Sequence, residues 1–85
     1  MDNETRLLIL RKQVDEIDEQ LVNVLDERFA VCEEIGKIKK QTGISVYNAN
    51  REEQIIKRLS DLEIHKGFVA ALWPQIMEFS KSLQH

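Results

Sequence analysis

Arg28 is the one polar residue in an apolar stripe that otherwise repeats at spacings of three and four from Leu7 to Ile38. Its guanidinium is a planar fork that matches a carboxylate bidentately, so a buried Arg28 could bind an anionic ligand. The alternative is a polar residue that sets the register of a coiled coil by pairing with a buried acid. Periodicity alone favours neither interpretation strongly.

Two further basic residues could act with Arg28. Lys39 lies eleven residues later in the sequence, which places it on the same helical face about 16 Å along the axis, so that the pair could bracket a small dianion. Arg11 lies about 25 Å before Arg28 on a different face, and it could join the same site only from an antiparallel partner chain. The simpler interpretations are a solvated lysine near the helix end and a solvent-facing arginine.

The remaining candidate residues are individually weak. Arg51 and Glu52 open a second helix, where an acid is ordinary capping chemistry. Ser80 and Gln84 are four residues apart and therefore share one face of a third helix. The chain has no glycine-rich phosphate loop, no Ser/His/Asp set and no zinc-ligand spacing, and its single cysteine excludes an internal disulfide.

The elements that must position these residues are helices. The apolar stripe predicts one helix from about residue 4 to about residue 42, capped by Asp2 or Asn3 and ended near Gly43. At about 58 Å it would be twice the diameter of roughly 30 Å expected for a compact monomer of this size. Either another chain covers the stripe, or the helix breaks near Gly36. The stripe consists of Leu7, Leu10, Val14, Ile17, Leu21, Val24, Arg28, Val31, Ile35 and Ile38.

Two shorter helices are predicted after the long one. The second covers roughly residues 50–62, with Asn50 as its N-cap and Glu53 at the capping-box position. The third begins near Phe68 and runs to the C-terminus, with Pro74 expected to kink it or delay its regular start. The predicted fold class is therefore all-α, with three helices, one very long, in a single domain of residues 1–85.

The amino-acid composition limits the classes of protein to which the chain could belong. The chain has 85 residues, 42% of them hydrophobic and 32% charged, with a formal net charge of −3. This acidic balance makes a general attraction to nucleic acid or anionic membranes unexpected. No apolar run is long enough to span a membrane, and the acidic start lacks a signal-peptide core, so a cytoplasmic location is expected. A core this small would stabilise a monomer only marginally, which favours oligomerisation.

Several segments together resemble the all-helical chorismate mutases. Each motif is weak alone, but their order and spacing across the whole chain are specific. The segments are Leu10-Arg11-Lys12-Gln13-Val14-Asp15-Glu16-Ile17-Asp18, Leu25-Asp26-Glu27-Arg28, Gly36-Lys37-Ile38-Lys39, Val46-Tyr47-Asn48-Ala49-Asn50-Arg51-Glu52, and Ile76-Met77-Glu78-Phe79-Ser80 followed by Gln84. The resemblance implies an intertwined homodimer of three-helix subunits whose long first helices run antiparallel, and it implies conversion of chorismate to prephenate.

The resemblance also implies roles for individual residues. Arg28 and the partner subunit's Arg11 would bind the two substrate carboxylates, and Lys39 and Gln84 would donate to the ether oxygen. Asn48 stands where the family often has Asp and would contact the substrate without charge. Glu52 would hold the ring hydroxyl, and Ser80 would help to hold the ring carboxylate. Arg51 would add positive charge at the site. The reaction is pericyclic, so no nucleophile, metal or cofactor is expected.

Two alternative functions remain open at this stage. The related isochorismate-pyruvate lyases share the fold and the arginine–lysine set, although Glu52 beside Arg51 favours the mutase. A non-catalytic helical dimerisation module would explain the heptads and the small size. It would not explain why Arg28 interrupts the stripe while Lys39 and Gln84 fall at matching positions.

Overall fold

The structure is a computed structural model that describes all residues from Met1 to His85. It contains three helices in the order α1 (Asn3–Thr42), α2 (Ala49–Ser60) and α3 (Phe68–Ser82), and the all-α prediction is confirmed. The contacts divide the chain into two units, residues 1–30 and residues 31–85. We call them the N-terminal segment and the C-terminal unit, and each is described by itself.

Helix α1 is continuous, and the alternative of a break near Gly36 is wrong. Asp2 caps its start, because the Asp2 Oδ1 atom accepts a hydrogen bond from the Thr5 backbone N–H at 2.7 Å. The chain leaves the helix through Gly43, whose φ of 72° lies in the left-handed region that favours glycine. The Ile44 N–H then donates to the Lys39 carbonyl at 3.0 Å, as in a Schellman motif.

The apolar stripe of α1 is exposed to solvent in the single chain. Its nine apolar residues have exposed fractions between 40% at Ile35 and 60% at Val31. Isolated exposed apolar residues are normal on protein surfaces, but a continuous stripe of this length marks an interaction surface. The exposed residues are Leu7, Leu10, Val14, Ile17, Leu21, Val24, Val31, Ile35 and Ile38.

The N-cap of helix α2 lies two residues before the predicted one, so the prediction of Asn50 as N-cap is wrong. Asn48 is the N-cap, with extended backbone angles of φ −142° and ψ 96°. Its Oδ1 atom accepts a hydrogen bond from the Arg51 N–H at 3.1 Å. Both asparagines suit a cap chemically, and the connection from α1 decides which of them has the extended backbone that a cap requires.

Helix α3 runs through Pro74 without ending or starting late. Its N-cap is Gly67, which has no side chain to accept the first backbone N–H groups. The Glu63 carboxylate takes this place by accepting hydrogen bonds from the N–H groups of Gly67 at 2.8 Å and Val69 at 3.0 Å. These bonds hold the pKa of Glu63 below its ordinary value, because they stabilise the ionised carboxylate.

Helices α2 and α3 pack against each other within the C-terminal unit. The buried apolar residues are few: Ile55 comes from α2, and Val69, Ile76 and Met77 come from α3. This small core provides little hydrophobic stabilisation, in keeping with the marginal size of the chain. None of the helices combines the length and the apolar content that crossing a bilayer would require.

Candidate active site

Gln84 is a buried polar side chain at the end of the C-terminal unit. Only 7% of its surface is exposed, although it is the penultimate residue. Its Nε2 atom donates to the Ser80 carbonyl at 3.3 Å, and its Oε1 atom is buried with no hydrogen-bond partner. A buried amide that leaves an acceptor unsatisfied is costly, so this group is a candidate for function.

Lys39 is held by the connection between α1 and α2. Its Nζ atom donates to the Val46 carbonyl at 3.0 Å, and the side chain is partly buried. An ammonium group has three N–H donors, so this bond fixes the position of the charge and leaves two donors for another acceptor. The geometry suits a lysine that stabilises negative charge on a bound molecule.

Glu52 forms an ion pair with Lys81 between α2 and α3. The Lys81 Nζ atom lies 3.3 Å from Glu52 Oε2 and 3.0 Å from Glu78 Oε2. It also lies 4.8 Å from the centre of the Tyr47 ring, within the range of a cation–π interaction. The Glu52 carboxylate therefore has a defined orientation, and its second oxygen remains available as an acceptor.

The environment of Lys81 favours its charged form. The largest contribution to the raised pKa of Lys81 is the hydrogen bond to the Glu78 carboxylate, and Glu52 adds to it while burial opposes it. Glu78 is mostly exposed, with 77% of its side chain in solvent, whereas Glu52 is 28% exposed. Lys81 thus remains a cation beside the less exposed carboxylate.

Three further predicted site residues lie in the C-terminal unit. Ser80 is buried, and its hydroxyl donates to the Ile76 carbonyl at 2.8 Å. Contact with a substrate carboxylate would require this hydroxyl to rotate, since it carries a single proton. Asn48 uses its Oδ1 atom as the α2 cap, which leaves its NH2 group and a second lone pair. Arg51 is exposed in the first turn of α2.

Arg11 and Arg28 belong to the N-terminal segment. Arg11 is exposed, whereas Arg28 is partly buried on the helix surface. Their interval of seventeen residues on one continuous helix agrees with the expectation that they face different directions. Lys39, Glu52 and Gln84 all lie in the C-terminal unit, each with its own contacts there.

Sequence analysis missed two residues of this region. Lys81 carries no signal of its own, because its pairing with Glu52 depends on the packing of α3 against α2. Gly36 was named as a possible break in α1 and as part of a family-like segment, but with no role in the site. In the structure it is buried, and a Cβ atom added to it would lie 2.7 Å from the Gln84 Cα atom. An isolated glycine inside a strong helical pattern was the available signal for such a close approach.

These helices and side chains define an all-α protein whose partly buried polar residues offer N–H donors and a carboxylate that could bind a small ligand. The chain belongs to the chorismate mutase type II family, whose sequence model matches residues 10–85. A crystal structure of the chorismate mutase from Helicobacter pylori in complex with prephenate has a TM-score of 0.83 and 28% identity, and the similarity covers 94% of this chain and 90% of that one.

Curated relatives agree with this family. The chorismate mutase of Methanocaldococcus jannaschii is 28% identical over 83 residues, which are 93% of this chain and 84% of that protein. The bifunctional chorismate mutase/prephenate dehydratase of Aquifex aeolicus is 32% identical over 66 residues, which are 78% of this chain. The matched region spans only 18% of the length of the Aquifex protein.

Proposed function

We propose that this chain is a chorismate mutase, which converts chorismate to prephenate by an intramolecular rearrangement, and that residues 1–85 form one mutase domain. The observation that carries the proposal is the family match across residues 10–85. The Helicobacter relative was crystallised with prephenate, the product of the proposed reaction. The chemistry needs no protein nucleophile, because the breaking and forming bonds both belong to the substrate.

The active unit that we propose is a homodimer with antiparallel first helices. The exposed α1 stripe supports it, because burial of apolar side chains that are 40–60% exposed in one chain would supply stabilisation that the small core lacks. An antiparallel arrangement would also bring the partner subunit's Arg11 to the site that contains Arg28. The two guanidinium groups would then hold the two substrate carboxylates, and with them the folded reactive conformation of the substrate.

Lys39 and Gln84 are proposed to stabilise the negative charge that develops on the ether oxygen as its bond to carbon breaks. The two free N–H donors of Lys39 and the second Nε2 proton of Gln84 are the available donors. Preorganised donors of this kind each contribute about 3 kcal/mol of transition-state stabilisation. Both residues therefore act mainly on kcat.

The remaining residues would orient the ring. Glu52 would accept a hydrogen bond from the ring hydroxyl, with its carboxylate held by Lys81 at 3.3 Å. Ser80 would contact the ring carboxylate after its hydroxyl leaves the Ile76 carbonyl, and Arg51 would add positive charge. Asn48 would reach the substrate through the NH2 group and lone pair that the α2 cap does not use.

The test is incubation of the purified chain with chorismate and, separately, with isochorismate. We expect prephenate from chorismate and no pyruvate from isochorismate. Release of pyruvate without prephenate formation would instead assign the chain to the related lyases, and inactivity on both substrates would indicate a dimerisation module.

The pH dependence provides a second test. The Gln84 amide does not titrate in the range where proteins are folded, so we expect a rate that does not require acidic pH. A carboxylic acid at this position would donate only while protonated. Loss of activity above pH 6, with Lys39 still charged, would contradict a neutral amide donor.

A further inference from the structure

Gly36 and Gln84 approach each other more closely than any other residue type at position 36 would allow. A Cβ atom built on Gly36 would lie 2.7 Å from the Cα atom and 2.9 Å from the Cβ atom of Gln84. Gly36 has ordinary helical backbone angles, so it is not required for conformational freedom. The missing side chain instead provides the space in which the backbone of Gln84 sits.

This contact limits where the Gln84 side chain lies. Its side-chain hydrogen bonds do little to fix it, because Nε2 makes only a long bond of 3.3 Å to the Ser80 carbonyl and Oε1 has no partner. Position 84 follows the end of α3 at Ser82, where its backbone N–H donates to the Lys81 carbonyl at 3.0 Å. This bond ties the main chain to α3, and the packing of Gln84 against α1 at Gly36 sets how closely the two helices bring it to α1.

The same contact brings Gln84 close to Lys39. Residues three apart on a helix share a face and are separated by about 4.5 Å along the axis. Gln84 packs against Gly36 and therefore lies about one helical turn from Lys39 along α1. The Lys39 ammonium donates to the Val46 carbonyl at 3.0 Å, which fixes its position. Gly36 thus sets the separation of the two proposed donors to the ether oxygen.

We propose that Gly36 is a positioning residue of the active site, which places Gln84 beside Lys39 by leaving out a side chain. The inference rests on the proposed mutase function. Glycine in a helix interior costs about 1 kcal/mol relative to alanine, so the chain gives up helix stability at this position. The gain is a donor amide held at the distance from Lys39 that the transition state requires.

The main experiment is Gly36→Ala in the full chain, with Glu33→Ala as a control at an exposed position of α1. We expect kcat to fall about 100-fold in Gly36→Ala, since a misplacement of about 1 Å can cost this much. KM should change far less, and helix content and Tm should be maintained or rise. Glu33→Ala should retain the wild-type rate.

A double-mutant cycle separates positioning from a general effect on α1. If Gly36 acts through Gln84, the double variant Gly36→Ala/Gln84→Ala should be no slower than Gln84→Ala alone. Losses that multiply would overturn the inference. So would a Gly36→Ala enzyme with a near-normal kcat.

A second variant leaves α1 intact in case Gly36→Ala fails to fold. One alanine inserted between Leu83 and Gln84 moves the amide away from Gly36 and leaves every residue of α1 unchanged. It should lower kcat by a similar factor, and normal activity would overturn the inference. An inactive wild-type enzyme would instead refute the proposed function.

Discussion

The N-terminal segment and the C-terminal unit have similar fractions of apolar residues but bury them to different extents. In the C-terminal unit, Ile55 of α2 and Val69, Ile76 and Met77 of α3 are buried against one another. In the N-terminal segment, stripe residues such as Leu10 and Val24 remain 52% and 59% exposed. One region buries apolar residues within the chain, and the other leaves its apolar stripe exposed, where the proposed dimer would cover it.

The polar residues of the two regions also differ in whether their contacts lie within one chain. Lys39, Glu52 and Gln84 of the C-terminal unit have defined contacts within one chain. Arg11 lies on the exposed surface of the N-terminal segment, and in the proposed dimer it would reach the site of the partner subunit. The comparison teaches that each chain orients these polar groups by itself, whereas the proposed clamping of the substrate by two arginines would require two chains.

The largest expected effect is the loss of either arginine. Arg28→Ala and Arg11→Ala should each lower kcat/KM by about 10²–10³-fold while the helical dimer persists, because a carboxylate loses its bidentate partner. Mixing the two inactive variants should restore about a quarter of the wild-type activity, since half of the dimers are mixed and each has one intact site. No recovery in refolded mixtures would contradict the sharing of arginines between subunits.

Dimerisation itself can be tested by placing a charge on each region. Ile17→Glu changes a stripe residue that is 55% exposed, and it should produce a monomer with most of the activity lost, because a carboxylate would be buried in the interface. Leu62→Glu changes a residue after α2 that is 70% exposed, and it should leave the oligomeric state and the activity unchanged. Sedimentation velocity would measure the oligomeric state, and prephenate assays would measure the activity. If both variants were active dimers, or both inactive monomers, the apolar stripe would not be the dimer interface that we propose.

A smaller effect is expected from Lys81. Lys81→Met removes the cation 3.3 Å from the Glu52 carboxylate and should lower kcat/KM about tenfold, since the proposed ring-hydroxyl acceptor loses its fixed orientation. Lys81→Arg should restore most of the rate, and Lys57→Met on the exposed surface of α2 serves as the matched control. Equal rates for Lys81→Met and the control would show that the ion pair is only structural.

The smallest effect concerns the start of α3. The pKa of Glu63 is lowered by the N–H groups of Gly67 and Val69, so its stabilisation is fully present above the ordinary glutamate pKa. It is lost as the pH falls through the lowered pKa, because the protonated carboxyl is a poorer acceptor. Glu63→Gln should therefore reduce Tm at neutral pH, and the difference from wild type should vanish in acid. A difference in Tm that is independent of pH would contradict this role.

Local patterns predicted most of the fold. The heptad spacing predicted α1 almost to its ends, and Asp2 and Gly43 marked its limits because caps are chosen by nearby residues. The error lies where two similar local signals competed: Asn48 rather than Asn50 caps α2. Helix α3 contains Pro74, as predicted, and starts at Phe68 without delay.

By itself, the sequence determined the three helices, the exposed stripe with its arginine, and the family to which the chain belongs. These features depend on residue type and on periods of a few residues, which can be read along the chain. The tertiary structure decided the ion pair of Lys81 with Glu52 and the packing of Gln84 against Gly36. Such contacts join residues about 30 to 50 positions apart, and their geometry depends on how whole helices pack, which no local pattern encodes.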